Sequence, residues 1–228
     1  LVMHGRRMGC LIQELSRVVK KILPNFDTER AKLLALVHDD IEICIGDIAA
    51  AIKVTMTPAE RLELKKRERD SMPILAKRFF SLKGESAYAW YASLLQEADA
   101  CETQEAQLMK YADRLDGLGE ALHEVYAGNA LFADRAQPHL ETPFEWYFNW
   151  FFPVTHAPFI MELREANAHP LFSVAQQVNY AHIAQTRSPH SAESLEMPVG
   201  YSHYDEWVGA ILRHGKPYDR ESLLLRKE

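Results

Sequence analysis

The sequence predicts an all-α protein. Apolar residues recur at i, i+3 and i+4 over long segments, and helix-opening and helix-stopping signals punctuate them. No segment shows the period-2 alternation, bounded by turns, that builds a sheet. With 228 residues, 47% of them hydrophobic and 25% charged, the chain can bury a sizeable core. It shows no internal repeat.

The elements follow in order. Met8, Leu11, Ile12, Leu15, Val19 and Ile22 form one apolar stripe, and Pro24 ends that helix. His4, four residues before Met8, extends the same stripe. A second helix starts near Asp27 or Thr28 and carries Leu34, Val37, His38 and Ile41 on one face. Thr57-Pro58-Ala59-Glu60 is a capping box with proline at the first helical position, where its missing N–H is no loss. The long helix it opens contains RLELKKRERD, whose mixed charges read as a solvated outer face. Further helices are expected over 86–97, 103–126 and 142–152, the last repeating the Thr-Pro-x-Glu opening at Thr142. Gly128-Asn129 reads as a helix stop, and another helix follows His169-Pro170 to about Gln185. From Thr186 the chain turns rich in Ser, Pro, His and Gly. Residues 1–185 are therefore expected to form the main domain, and 186–228 a loop-rich C-terminal extension with a short helix near 206–213.

A net charge of −6 and a pI near 5.9 disfavour a protein that coats nucleic-acid polymers or an anionic membrane. A small anionic substrate stays open, because a metal and a few local cations suffice for it. No apolar run approaches the roughly 20 residues that span a bilayer, and LVMHGRRMGC lacks the apolar core of a secretion signal. Cys10, Cys44 and Cys101 are scattered and form no CxxC, which fits free thiols in a reducing cytoplasm. No GxGxxG or Walker pattern occurs.

The chemistry concentrates in residues 34–47, LALVHDDIEICIGD. His38 and Asp39 are adjacent on an apolar helix, so both reach one ion only if it sits between their directions. Burying Asp39 without a cation or donors is costly. Glu42 lies one turn after His38 and borders the same place. A lone histidine such as His4 is more often a satisfied core residue than a ligand. Downstream, KYADRLDGLGEAL has core-facing Leu108, Ala112, Leu115 and Leu122, with Asp113 and Asp116 sharing one side. On spacing alone either aspartate could be a fourth ligand. Mixed imidazole and carboxylate ligation suits a first-row divalent ion, which activates water and polarises a phosphoryl oxygen.

The order His, His-Asp, Asp resembles the HD-domain metal-dependent phosphohydrolases, and within them the bacterial 5′-deoxynucleotidase branch. HGRRMGCLIQEL, ERAKLLALVHDDIEICIGDI and TQEAQLMKYADRLDGL are similar to its three ligand-bearing helices, and AGNALF with EWYFNWFFP to its C-terminal region. The likeness covers roughly residues 2–158. It implies an HD-domain helical bundle in which His4, His38, Asp39 and Asp113 hold a divalent ion (Mn, Co, Mg, Fe or Zn). Glu42 would be the catalytic carboxylate, and Asp47 would assist it by contacting or positioning the sugar. Lys53 and Arg7 are further candidates for substrate contact, with solvated side chains as the alternative. The family commonly has Glu before and Ser after its first histidine, where this chain has Met3 and Gly5, and the usual proline after Gly-Asp is replaced by Ala49-Ala50-Ala51.

The resemblance thus implies hydrolysis of nucleotides, foremost deoxynucleoside 5′-monophosphates, to nucleoside and phosphate. Two alternatives stand beside it: hydrolysis of a nucleoside triphosphate or signalling nucleotide, and a non-catalytic HD-like binding or dimer module. Related proteins often form dimers, so a homodimer is also an expectation. The aromatic residues Trp146, Tyr147, Phe148, Trp150, Phe151 and Phe152 suit a core or dimer contact better than base stacking, because no basic stripe accompanies them. His182, His190, His203 and His214 share no ligand spacing.

Overall fold

The computed structural model describes residues 2–80, 84–126, 130–133, 141–152 and 157–173. Among these there is no strand. The elements are α1 (Val2–Ile22), α2 (Thr28–Val37), α3 (Glu42–Ile45), α4 (Ala50–Thr55), α5 (Pro58–Phe80), α6 (Glu85–Ala100) and α7 (Gln104–Tyr126). After them come α8 (Ala130–Ala133), α9 (Pro143–Trp146) running into a π-helical turn (Tyr147–Phe151), α10 (Pro158–Glu165) and a 3₁₀ turn (Pro170–Ser173). The expected helix stop at Gly128-Asn129, the helix beyond Ser173 and the extension over 186–228 lie outside the described residues.

Helices α1, α2 and α7 pack against one another and hold the main core. The α1 stripe of Met8, Leu11, Ile12, Leu15 and Val19 is wholly buried, as its spacing requires, while Ile22 at the helix end is exposed. It meets Ala31, Leu34 and Ala35 of α2 and Leu108, Ala112, Leu115 and Leu122 of α7. Each such leucine contributes roughly 1.5–3 kcal/mol through the apolar area removed from water. A second cluster, Met72, Leu75 and Ala76 of α5 with Tyr91 and Leu95 of α6, carries partly buried Val37 and Ile41. That contact seats the α2–α3 turn on the α5–α6 pair.

Helix starts follow their sequence signals. The Asp27 side chain accepts from Arg30 N, which starts α2. Thr57 and Glu60 exchange the bonds of a capping box, and Thr142 and Glu145 do the same at α9. Gly117 is required by a close approach: a Cβ there would lie 2.1 Å from the Tyr147 hydroxyl, which donates to the Arg114 carbonyl at 3.1 Å. This seats the π-helical turn against α7.

Two expectations need correction. The second helix does not run through Ile41; α2 ends at Val37 and residues 38–41 form a turn before α3. Backbone bonds there shorten from i−4 to i−3, with Asp40 N to Val37 O at 3.0 Å and Glu42 N to Asp39 O at 2.9 Å. The expected helix over 142–152 is likewise interrupted, since from Tyr147 it widens so that Phe152 N bonds Tyr147 O at 2.9 Å.

Candidate metal centre and cleft

Three elements bring the polar residues together. The first turn of α1 supplies His4, the tight turn after α2 supplies His38 and Asp39, and α7 supplies Asp113 and Asp116. The turn is pinned from α6, where the buried Tyr91 hydroxyl donates to Asp40 Oδ2 at 2.6 Å. The tight turn holds the adjacent His38 and Asp39 side chains together, with His38 Nε2 3.0 Å from Asp39 Oδ1.

His38 Nε2 lies 3.0 Å from Asp39 Oδ1 and 3.7 Å from Asp113 Oδ1. His4 Nε2 lies 3.4 Å from Asp113 Oδ1 and 3.7 Å from Asp39 Oδ2. One ligand atom from each of His4, His38 and Asp39 falls within 4.8 Å of the others. Two ligands of one first-row ion, with bonds of roughly 2.0–2.2 Å, sit at most about 4.4 Å apart. The four nitrogen–oxygen spacings, 3.0 to 3.7 Å, therefore fit one shared ion. Most are too long for hydrogen bonds, so the cluster does not satisfy itself. His38 Nε2 in particular is buried, and its 3.0 Å approach to Asp39 Oδ1 is an ion pair without hydrogen-bond alignment. The donor set and this buried nitrogen without a hydrogen bond fit a divalent ion.

The remaining ring nitrogens are committed elsewhere. His38 Nδ1 lies 3.0 Å from Ala35 O, and His4 Nδ1 lies 2.7 Å from Asp116 Oδ2. Both Nε2 atoms are thereby left to face the cluster, which is how partners outside a metal site orient histidines. Asp113 and Asp116, equivalent by spacing, thus differ in place: Asp113 Oδ1 faces both Nε2 atoms, and Asp116 backs His4. Asp113 Oδ2 accepts from Lys110 at 2.6 Å.

The electrostatics follow from three carboxylates around two imidazoles. Burial alone would lower His4, but hydrogen bonds and charge from Asp113 and Asp116 outweigh it and push the ring up to about 9. Burial would raise Asp113, yet His38, His4 and Lys110 hold it well below the usual carboxylate range. Asp116 is likewise held down against its burial by His4 and Arg7. Glu42 moves the other way: burial, then the charges of Asp39 and Asp47, raise it, with Lys53 and His38 only partly offsetting them.

The cluster opens into a cleft of about 780 Å³ whose walls include His38, Asp39, Glu42, Asp47, Lys53 and Asp113. His4 joins the cluster without lining the cleft. Arg7, expected as a substrate contact, is not in the wall either. Its fork donates to both oxygens of Asp116 at 2.8 Å, and it pairs further with Glu120. The guanidinium is spent on holding the carboxylate behind His4. Phe151, expected in a core or dimer contact, also stands in the wall, and two further wall residues, Lys110 and Arg114, were not among the sequence candidates. Only the register of Lys110 and Arg114 around Asp113 hinted at these two.

The family model described as 5′-deoxynucleotidase YfbR-like matches residues 3–144, which contain every member of the cluster. The chain belongs to this family. Among relatives of the YfbR-like chain, a 5′-deoxynucleotidase of Pectobacterium atrosepticum is 33% identical over 113 residues, 50% of this chain and 54% of that protein. A 5′-deoxynucleotidase of Enterobacter sp. is 28% identical over 143 residues, 62% of this chain and 68% of that one. The YfbR-like chain thus spans between about half and two thirds of the length of these relatives. No solved structure matches it.

Proposed function

We propose that this YfbR-like chain is a divalent-metal-dependent phosphomonoesterase that hydrolyses deoxynucleoside 5′-monophosphates to deoxynucleosides and phosphate. The observation that carries the reading is the convergence of two Nε2 atoms and two carboxylates at one end of a cleft in this family. His4, His38, Asp39 and Asp113 would hold the ion. Such an ion supplies Lewis acidity toward a phosphoryl oxygen and lowers the pKa of water. The residues around it do the rest. Glu42, with its raised affinity for a proton, passes one to the departing sugar oxygen. Asp47, exposed in the cleft wall, accepts from a sugar hydroxyl, and Lys53 offers a cation to the phosphate.

A nucleotide substrate, cytoplasmic residence and a homodimer complete the reading. Free Cys10 and Cys44, both exposed, suit a reducing compartment. None of the described helices is long and apolar enough to cross a membrane. Trp150, 63% exposed, gives an apolar surface for a second copy.

Phosphate release from a panel of nucleoside mono- and triphosphates, with Mn²⁺, Co²⁺ or Mg²⁺ and after chelation, tests the proposal. Metal-dependent release from deoxynucleoside monophosphates is the expected result. Activity surviving both exhaustive chelation and Asp39→Ala would overturn the metal mechanism. Inactivity of folded, metal-loaded protein across the panel would overturn the enzymatic reading.

A further inference from the structure

We propose that Arg114 is the guanidinium that grips the phosphoryl group of a ligand in the cleft, an assignment that rests on the phosphomonoesterase reading. Most cations in the cleft wall are already engaged. Lys110 bonds Asp113, Lys65 lies against Asp99 and Glu68, and Arg61 donates to the carbonyls of Val54 and Met56. Arg114 differs. Its guanidinium has no hydrogen bond or ion pair among the described residues, and its Nε is buried without a partner. The adjacent Asp113 acts on it through charge alone, because that carboxylate's oxygens are taken up by Lys110 and face the two histidines.

The side chain is nevertheless held in place. Its guanidinium lies over the Phe151 ring, 3.5 Å from the centroid, and the Tyr147 hydroxyl ties its backbone carbonyl. A stacked guanidinium keeps its N–H donors in one plane, a fixed fork that matches two oxygens of a phosphate. A buried donor left unmatched is unfavourable, so the arrangement favours an arriving acceptor. The ligand it suits is a tetrahedral oxyanion, which has oxygens enough for both the guanidinium and the His38, Asp39 and Asp113 side chains that line the same cleft. A planar carboxylate has only two.

Calorimetric titration of inorganic phosphate into the metal-loaded protein tests this without turnover, with acetate as the planar control. Arg114→Met should weaken phosphate binding at least tenfold and Arg114→Lys severalfold, with metal content unchanged and acetate bound far more weakly than phosphate. Phosphate affinity within twofold of the original in folded Arg114→Met would overturn the assignment, as would equal binding of acetate. Should that variant not fold, Phe151→Leu, which keeps the charge and removes its platform, is held to the same twofold limit. Phosphate held through Arg114 by a protein that hydrolyses no deoxynucleotide would refute the phosphomonoesterase reading alone. Hydrolysis with phosphate affinity unmoved by these substitutions would refute Arg114 alone.

Discussion

The Nδ1 atom of His4 lies 2.7 Å from Oδ2 of Asp116, and the Arg7 fork holds both oxygens of that carboxylate from the other side. His4 reaches the cluster through Nε2 because Nδ1 is engaged here. Asp116→Asn keeps the shape but removes the charge that fixes the ring. Losing such a partner typically weakens metal affinity 10–100-fold. Competition with a chromophoric chelator measures it. Affinity unchanged in the variant would mean that Asp116 does not set the orientation of His4.

The same contact predicts a cost to folding. Arg7 and Asp116 are both nearly buried, with side chains 12% and 6% exposed. Arg7→Met would leave Asp116 with one partner fewer in a place it reaches only as a paired charge. Breaking a buried pair typically costs about 3–5 kcal/mol, and Glu120, which also loses its contact with Arg7, is exposed enough to rehydrate. A value near 3 kcal/mol from urea unfolding is expected. A loss below about 0.5 kcal/mol would show the pair to be a surface contact.

In chelated protein, His4 carries a value of about 9 against an ordinary 6.5. A group raised on folding stabilises fully below its unfolded value, and that contribution is lost as pH rises through the folded value. Asp113 and Asp116 are depressed, so theirs is present above the ordinary carboxylate range and lost as pH falls through their lowered values. The metal-free protein should therefore melt at progressively lower temperature between pH 6.5 and about 9. Added divalent ion should reverse the trend, since neutral imidazole is the ligand form. A slope identical in His4→Asn would assign the effect to other groups.

Gly117 joins α7 to the aromatic segment. The methyl of Gly117→Ala would fall 2.1 Å from the Tyr147 hydroxyl, so Tyr147 must leave its bond to the Arg114 carbonyl. Overpacking of this kind costs roughly 1–3 kcal/mol. Paired with Tyr147→Phe, where the clashing oxygen is gone, the alanine should cost distinctly less. Equal costs in the two backgrounds would mean that Tyr147 does not fill this space.

Much of this was legible in the sequence, for identifiable reasons. The α1 stripe from Met8 to Val19 is buried as its period requires, and both Thr-Pro-x-Glu boxes cap helices. His38 and Ile41 keep the helical period of Leu34, so nothing local announced the turn after Val37. That turn depends on Tyr91, distant in sequence, holding Asp40. Spacing placed Asp113 and Asp116 on one side of α7 but could not divide their tasks, because the division comes from His4 and Arg7 on α1. Arg114 was invisible for a similar reason: a cation beside an aspartate reads as solvated until Phe151 is seen beneath it.

Glu42 gives the sharpest test of the chemistry. It lines the cleft beside Asp39, and burial with the charges of Asp39 and Asp47 raises its proton affinity. A carboxyl at this place can give a proton to a leaving alkoxide. Glu42→Gln keeps the volume and the hydrogen-bonding capacity but cannot release a proton. Since Glu42 is outside the His/Asp cluster, metal content should stay at the wild-type level while kcat falls on the order of 10²-fold. The loss should shrink for a substrate whose leaving group departs without a proton, such as p-nitrophenyl phosphate. An equal loss on both substrates would move Glu42 from proton donor to a residue that positions water.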